Sequence, residues 1–182
     1  MPRVPEFTSK DNLAPEFHHI FDAIAGTRSR VHGPFAVLLN SPEVAGRIAD
    51  VGAYVRFGST LEPDVRELAI ITVAQENECE FEWFYHEAIA REAGVRDEAI
   101  RVVADGTPTE GLKSVEALVI NYGRELARAH RVSEETFAAA LEQFGTQGVT
   151  DLTVTFGYYG MIAFCLNAFD VKPPEGKPVL PA

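Results

Sequence analysis

Three side chains that can take part in chemistry recur at helical spacing in the middle of the chain. Cys79, Glu82 and His86 are three and four residues apart, so on an α-helix a thiol, a carboxyl group and an imidazole share one face. Glu67 lies on the preceding apolar run, and a hairpin turn near Asn77 would bring its carboxyl group to the same face. Together these groups could form a nucleophile site or an acid/base site.

Each of these residues also has a purely structural interpretation. A free cysteine is most often a small buried hydrophobic residue, and most glutamates lie on solvated helix faces. A histidine often serves only as a hydrogen-bond donor to a backbone carbonyl. The neighbouring aromatic residues fit packing better than a substrate platform: Phe81, Trp83, Phe84 and Tyr85. Spacing alone leaves both interpretations open.

The segments around these residues resemble a known family. They read R-E-L-A-I-I-T-V-A from Arg66, C-E-F-E-W-F-Y-H from Cys79 and A-R-E-A-G-V from Ala90. They are similar to the carboxymuconolactone decarboxylase / alkylhydroperoxidase D-like family, whose peroxidase branch carries Glu, then Cys-x-x-Cys, then a His four residues later. Glu67, Cys79 and His86 match this pattern, whereas Glu82 replaces the second cysteine. The resemblance implies an all-α, multi-helix bundle of the alkylhydroperoxidase D-like type, assembled as a trimer or hexamer.

Peroxide reduction by Cys79, as in the peroxidase branch, is one chemistry open to the site. It requires a thiolate at neutral pH and, in that branch, a second thiol that resolves the oxidised cysteine. The second thiol is missing at Glu82. Nearby carboxyl groups also favour the protonated thiol; they belong to Glu76, Glu78, Glu80 and Glu82.

Cofactor-free proton transfer, as in the decarboxylase branch, is the second chemistry. His86, with Glu82 or Glu67, would deliver a proton to carbon after an enolate-like intermediate has formed. A zinc site made by Cys79, Glu82 and His86 is the third, although their separations match no recognised zinc signature.

We therefore expect a carboxymuconolactone decarboxylase-like enzyme that acts without a cofactor or metal on a small lactone acid. The predicted catalytic residues are Glu67, Cys79, Glu82 and His86. A thiol peroxidase using Cys79 is the first alternative, and a non-catalytic oligomer that binds a small ligand is the second.

Length and composition limit the possible folds and binding partners. The chain has 182 residues, of which 46% are hydrophobic, enough for one folded domain, predicted at 15–170. An extended arm is predicted at 1–14 and a proline-rich extended tail at 171–182. The net charge of −11 argues against nucleic-acid binding, because phosphate contact needs clustered Lys and Arg. Two distant cysteines and the lack of a secretory signal predict a cytoplasmic protein.

Hydrophobic periodicity predicts helices throughout the chain. The predicted ranges are 15–25, 42–57, 63–76, 79–93, 96–104, 114–129 and 133–145, followed by Leu152–Phe169, which contains no charged residue. This last segment is long enough to cross a membrane. Its hydroxyl groups and glycines instead favour a helix buried in the domain or in a homo-oligomer interface, with Gly157 and Gly160 allowing another helix to approach closely.

Overall fold

The computed structural model describes residues 2–174 and 180, and within them it contains helices and no strand. This confirms the all-α fold class. The chain divides into two compact units: one comprises 2–58 and 164–172, and the other comprises 59–163 with the described residues after Lys172. The predicted tail lies for most of its length outside the described residues.

Within the described residues, eight α-helices follow one another. They are α1 (His18–Arg28), α2 (Pro34–Leu38), α3 (Pro42–Ala53), α4 (Pro63–Glu76), α5 (Glu80–Glu92), α6 (Asp97–Ala104), α7 (Ser114–Ala129) and α8 (Glu134–Ala168). The bounds of α4 and α7 are those predicted. The prediction missed α2, and it extended α3 to Phe57, whereas Tyr54–Gly58 forms a π-helical turn.

The first unit is built on the packing of α1 against α3 and of α2 against α3. Ile20 and Ile24 on α1 are buried. The N-terminal residues run along this unit, since the N–H of Phe7 donates to the carbonyl of Ala36 (2.9 Å) and the side-chain amide of Asn40 donates to the carbonyl of Pro5 (2.8 Å). These contacts attach the arm to α2.

The second unit is organised around α4. This helix packs against α5, α6 and α7, and all of its residues from Glu67 to Ala74 are buried. A helix that is apolar on every side belongs in a core. The carboxyl group of Glu67 is therefore held inside the unit by a helix that is fixed on several sides.

Asp151 fixes the chain just before α4. One oxygen of its carboxylate, Oδ2, accepts hydrogen bonds from the backbone N–H of Thr60 (2.8 Å) and from the hydroxyl groups of Thr60 (2.9 Å) and Ser59 (3.2 Å). Asp151 itself is buried. The chain just before α4 is thus tied to α8, since Asp151 lies 91 positions after Thr60 in the sequence.

The long helix α8 is interrupted at Gly145, whose backbone angles (φ 67°, ψ 178°) are not helical. This φ is one that residues with a Cβ rarely adopt, and it explains why the prediction ended one helix near this glycine. The whole of Glu134–Ala168 has the length and mean hydropathy that a membrane span needs, and 61% of its most apolar window is buried inside the protein. A core helix of a folded domain has the same properties.

The close approach between helices occurs at a glycine other than the two predicted. A Cβ placed on Gly123 of α7 would lie 2.3 Å from a ring carbon of Phe156 on α8, whereas one on Gly160 would lie 3.8 Å from Val73. Among the described residues, no atom lies within 4 Å of a Cβ placed on Gly157. The ring of Phe156 therefore lies directly on the backbone of α7 and stacks with Tyr122 (6.1 Å between centroids).

Candidate active site

The hairpin predicted near Asn77 is present and joins α4 to α5 through three residues. The side-chain amide of Asn77 donates to the carbonyl of Val73 (2.8 Å). Glu78 takes a left-handed conformation (φ 50°), and the N–H of Cys79 then donates to the carbonyl of Ala74 (2.8 Å). This sharp reversal lays α5 against α4 and brings Glu67 beside the first turns of α5.

His86 lies between two carboxylates. Its Nδ1 is 2.7 Å from Oε2 of Glu67 on α4, and its Nε2 is 3.3 Å from Oε2 of Glu82, one turn earlier on α5. All three side chains are buried. The structure thus unites three of the four predicted site residues in one chain of polar contacts, Glu67–His86–Glu82.

The two carboxylates hold His86 in its charged form. Burial by itself lowers the pKa of the imidazole, but the hydrogen bonds and charges of Glu67 and Glu82 outweigh burial and raise the pKa from 6.5 to about 9. An imidazolium donates from both ring nitrogens, which suits an acceptor on each side. At neutral pH His86 is therefore an acid with a proton to give.

Tyr159 of α8 covers the imidazole. Its ring meets the ring of His86 edge to face, with 5.1 Å between the centroids, and Tyr158 packs against Tyr159 in the same manner (5.2 Å). Both tyrosines are buried. Neither tyrosine was predicted to belong to the site, because no local pattern connects a tyrosine on α8 with a histidine on α5.

Cys79 is buried and precedes the first residue of α5 as its N-cap. Its pKa is raised to about 12, chiefly by burial and further by the charges of Glu82 and Glu80. Backbone N–H groups of Glu82 and Phe81 donate towards the sulfur and oppose this shift only in part. Cys79 is therefore a neutral thiol close to Glu82, and its environment is the reverse of that which activates a cysteine.

Arg66 is a further charged residue at this site, and it was not predicted from the sequence. Its Nε lies 3.7 Å from Oε1 of Glu67.

The zinc site considered from the sequence has no counterpart in the described part of the chain. Within residues 2–174 and 180, no three His, Cys, Asp or Glu side chains are arranged to hold a metal ion.

Comparison with known proteins agrees with this architecture. Residues 42–125 match the model of the carboxymuconolactone decarboxylase family, and this range contains the four predicted site residues. No curated protein matches the sequence.

Three of the solved structures that share this fold illustrate the similarity. An uncharacterized peroxidase-related protein from Ralstonia eutropha JMP134, described as an alkylhydroperoxidase AhpD core, superimposes with a TM-score of 0.77 at 16% identity, over 96% of this chain and 93% of its own. An uncharacterized peroxidase-related protein from Silicibacter sp. TM1040 gives 0.75 at 15% identity, over 95% and 93%. A protein of unknown function from Agrobacterium tumefaciens gives 0.67 at 16% identity, over 75% and 94%.

At these identities the structures establish a common fold and no common activity. The family match covers the helices that carry Glu67, Cys79, Glu82 and His86, and the resemblance drawn from those residues is confirmed. Residues 42–125, which carry the candidate site, match the carboxymuconolactone decarboxylase family model.

Proposed function

We propose that this protein is a cofactor-free acid/base enzyme of the carboxymuconolactone decarboxylase type, acting on a small lactone acid. The observation that carries the proposal is the placement of His86 between Glu67 and Glu82, with a pKa raised to about 9. A catalytic acid should be protonated near the working pH and should still be able to release its proton. His86 meets both conditions.

The contacts of His86 assign a role to each carboxylate. The contact of Nδ1 with Glu67 is short, at 2.7 Å, so Glu67 orients the ring and stabilises its charge as a positioning residue. The contact of Nε2 with Glu82 is longer, at 3.3 Å, so the proton on Nε2 is the one more readily given up. His86 and Glu82 are therefore the proposed catalytic pair.

The proposed reaction balances without a cofactor. The bond between carbon and the carboxylate of the substrate breaks, carbon dioxide leaves, and the electron pair moves into the adjacent conjugated carbonyl system. Nε2 of His86 then delivers its proton to carbon, and the neutral imidazole takes a proton back from solvent. The charge of the imidazolium also stabilises the enolate-like intermediate before the proton moves.

Thiol peroxidase chemistry is the second candidate, because two of the solved structures with this fold are described as peroxidase-related. The environment of Cys79 does not support it here. A pKa raised to about 12 leaves almost no thiolate at neutral pH, and Glu82 occupies the place of the resolving cysteine.

Two substitutions separate these candidates. His86→Gln should lower the rate of carbon dioxide release from lactone acids about a hundredfold to ten-thousandfold, whereas Cys79→Ser should have a much smaller effect. His19→Gln, on the exposed face of α1, is the matched control and should leave the rate unchanged. Carbon dioxide release is measured over a panel of unsaturated lactone acids, and consumption of an organic hydroperoxide with a dithiol reductant is measured in parallel.

The opposite ranking would contradict the proposal. Rapid hydroperoxide consumption that Cys79→Ser abolishes and His86→Gln leaves intact would assign the protein to thiol chemistry. Thermal stabilisation by lactone acids with no turnover of any of them would assign it to ligand binding instead.

A further inference from the structure

Apolar side chains are exposed along α3 and the π-helical turn that follows it. Eight large hydrophobic side chains are exposed among the described residues, and four of them lie between positions 44 and 57: Val44, Val51, Tyr54 and Phe57. The two valines are each 47% exposed, and the phenylalanine is 66% exposed. Single exposed hydrophobic residues are ordinary, whereas several that are contiguous mark an interaction surface.

The helix presents these residues on a side that it does not use for folding. Val44, the half-buried Ile48 and Val51 are four and three residues apart, so they follow one another along α3, one turn apart. Ala45 and Ala49 are buried on another side of the helix, which packs against α1 and α2. We call the three aliphatic residues, together with Tyr54 and Phe57, the α3 face.

Two side chains of opposite charge border the α3 face, and neither has a close partner among the described residues. The side chain of Arg47 is 82% exposed, and its one ion pair there, with Glu43 at 4.0 Å, is too long for a hydrogen bond. Asp50 is exposed and makes no hydrogen bond or ion pair with the described residues. A border of one sign would select an oppositely charged partner. A border of both signs suits a surface that is complementary to itself.

An antiparallel second copy of α3 brings these groups together. If a two-fold axis passes between positions 47 and 48, Val44 lies opposite Val51 of the second copy, and the same contact recurs by symmetry. Arg47 and Asp50 are three residues apart and so share one flank of the face. Asp50 of the second copy then lies about 3 Å along the axis from the position opposite Arg47. Each guanidinium therefore reaches a carboxylate, for which its fork is suited.

The size of this contact limits what it can hold together. The helix has 12 residues, so one pair is about 18 Å long and about 10 Å wide. A stable interface buries roughly 800 Å² on each partner, which one such pair does not reach. Several pairs that form at once in a symmetric assembly supply the missing area.

We propose that the α3 face binds the same face of a second copy, antiparallel about a two-fold axis. A trimer contains no two-fold axis. Of the two assemblies expected for this chain, the contact therefore selects the hexamer, in which three α3 pairs join two trimers. The inference does not depend on the proposed reaction, because none of these residues belongs to the candidate active site.

Charge exchange tests this contact through the mass measured by light scattering. The native protein should have six times the mass of the 20.0 kDa chain. Arg47→Asp and Asp50→Arg each bring like charges together across the axis, so each should halve the mass. An equal mixture of the two variants should return to the native mass, because the new aspartate of one then faces the new arginine of the other. Effects within one chain cannot produce this recovery.

Two further variants test the apolar part of the α3 face. Val51→Glu should also halve the mass, because it buries a carboxylate between the copies. Since Val51 is exposed in the single chain, the fold should persist, as circular dichroism would show. Glu92→Arg, at an exposed position of α5, is the control for a change of charge and should leave the mass unchanged.

Three results would overturn the proposal. They are a native mass of one or three chains, an unchanged mass in Val51→Glu, and a mixture of Arg47→Asp and Asp50→Arg that is no heavier than either variant alone. The last result would show that the two charged residues act within their own chain. None of these measurements uses turnover, so they stand whether or not lactone acids prove to be substrates.

Discussion

At the scale of single residues, the two carboxylates beside His86 determine what the imidazole can do. A solvent-exposed histidine is mostly neutral above pH 6.5, whereas His86, with a pKa raised to about 9, still carries its proton there. The same carboxylates thus supply the charge that makes His86 an acid and couple its protonation to the stability of the fold.

We predict that the stabilisation contributed by His86 falls as the pH rises from about 6.5 to about 9. The pKa of His86 in the folded state is raised above its ordinary value, so the folded protein binds this proton more tightly than the unfolded chain. The contribution is therefore complete below pH 6.5 and is lost as the pH rises through about 9. Its size is on the order of 3 kcal/mol.

Urea unfolding across this pH range measures the effect. The difference in free energy of unfolding between the native protein and His86→Gln should narrow towards alkaline pH, while His19→Gln should follow the native protein throughout. If the free energies of unfolding of the native protein and of His86→Gln changed in parallel with pH, the elevated pKa of His86 would be contradicted.

The residues that were predictable from the sequence are those linked by local spacing. Glu82 and His86 are one helical turn apart, so their contact follows from the pattern, and Glu67 joins them once the hairpin near Asn77 is recognised. Arg66 lies among other charged residues and resembles part of a solvated face. Tyr159 reaches His86 only through the packing of α8, which no local pattern encodes.

At the scale of elements, most helix bounds follow from local signals. Pro63 and Ser114 mark the starts of α4 and α7, and Gly145 marks the break in α8. The short helix α2 was missed because five residues are too few to show a helical period. The glycine on which the packing of α7 and α8 depends was also missed, because the side chain that requires it, Phe156, belongs to another helix.

Two glycine substitutions test this packing. Gly123→Ala should destabilise the protein, because its Cβ would lie 2.3 Å from the ring of Phe156, and overpacking of a core typically costs about 1–3 kcal/mol. Gly26→Ala on α1, where nothing lies within 4 Å of the added Cβ, should instead raise stability by up to about 1 kcal/mol. Thermal and urea unfolding measure both, and a neutral Gly123→Ala would contradict the close approach.

At the scale of the whole molecule, we expect the protein to assemble as a homo-oligomer, a trimer or hexamer. Val154, Gly157 and Met161 are spaced by three and four residues along α8, and each is exposed or only half-buried. They form an uncharged stripe on the side of α8 opposite the buried Phe156 and Tyr159. We propose this stripe as part of the interface between copies.

Light scattering measures the assembly directly. The native protein should have three or six times the mass of the 20.0 kDa chain. Val154→Glu should shift it towards the monomer, because a carboxylate buried in an interface is costly. Gln143→Glu, at an exposed position before the break at Gly145, is the control and should leave the mass unchanged. A native mass of one chain would contradict this prediction.

We expect the hydrogen bonds of Asp151 to form late during synthesis. The chain before α4 is tied to Asp151, and His86 is covered by Tyr159, so both contacts await the last part of the sequence. Contacts between such distant residues form late, since a long loop must first be closed. Until α8 leaves the ribosome, the apolar surface of α4 has no complete cover, and the nascent chain is open to aggregation and to chaperones. A chain that stops short of α8 lacks Asp151 and Tyr159 and therefore cannot complete the site.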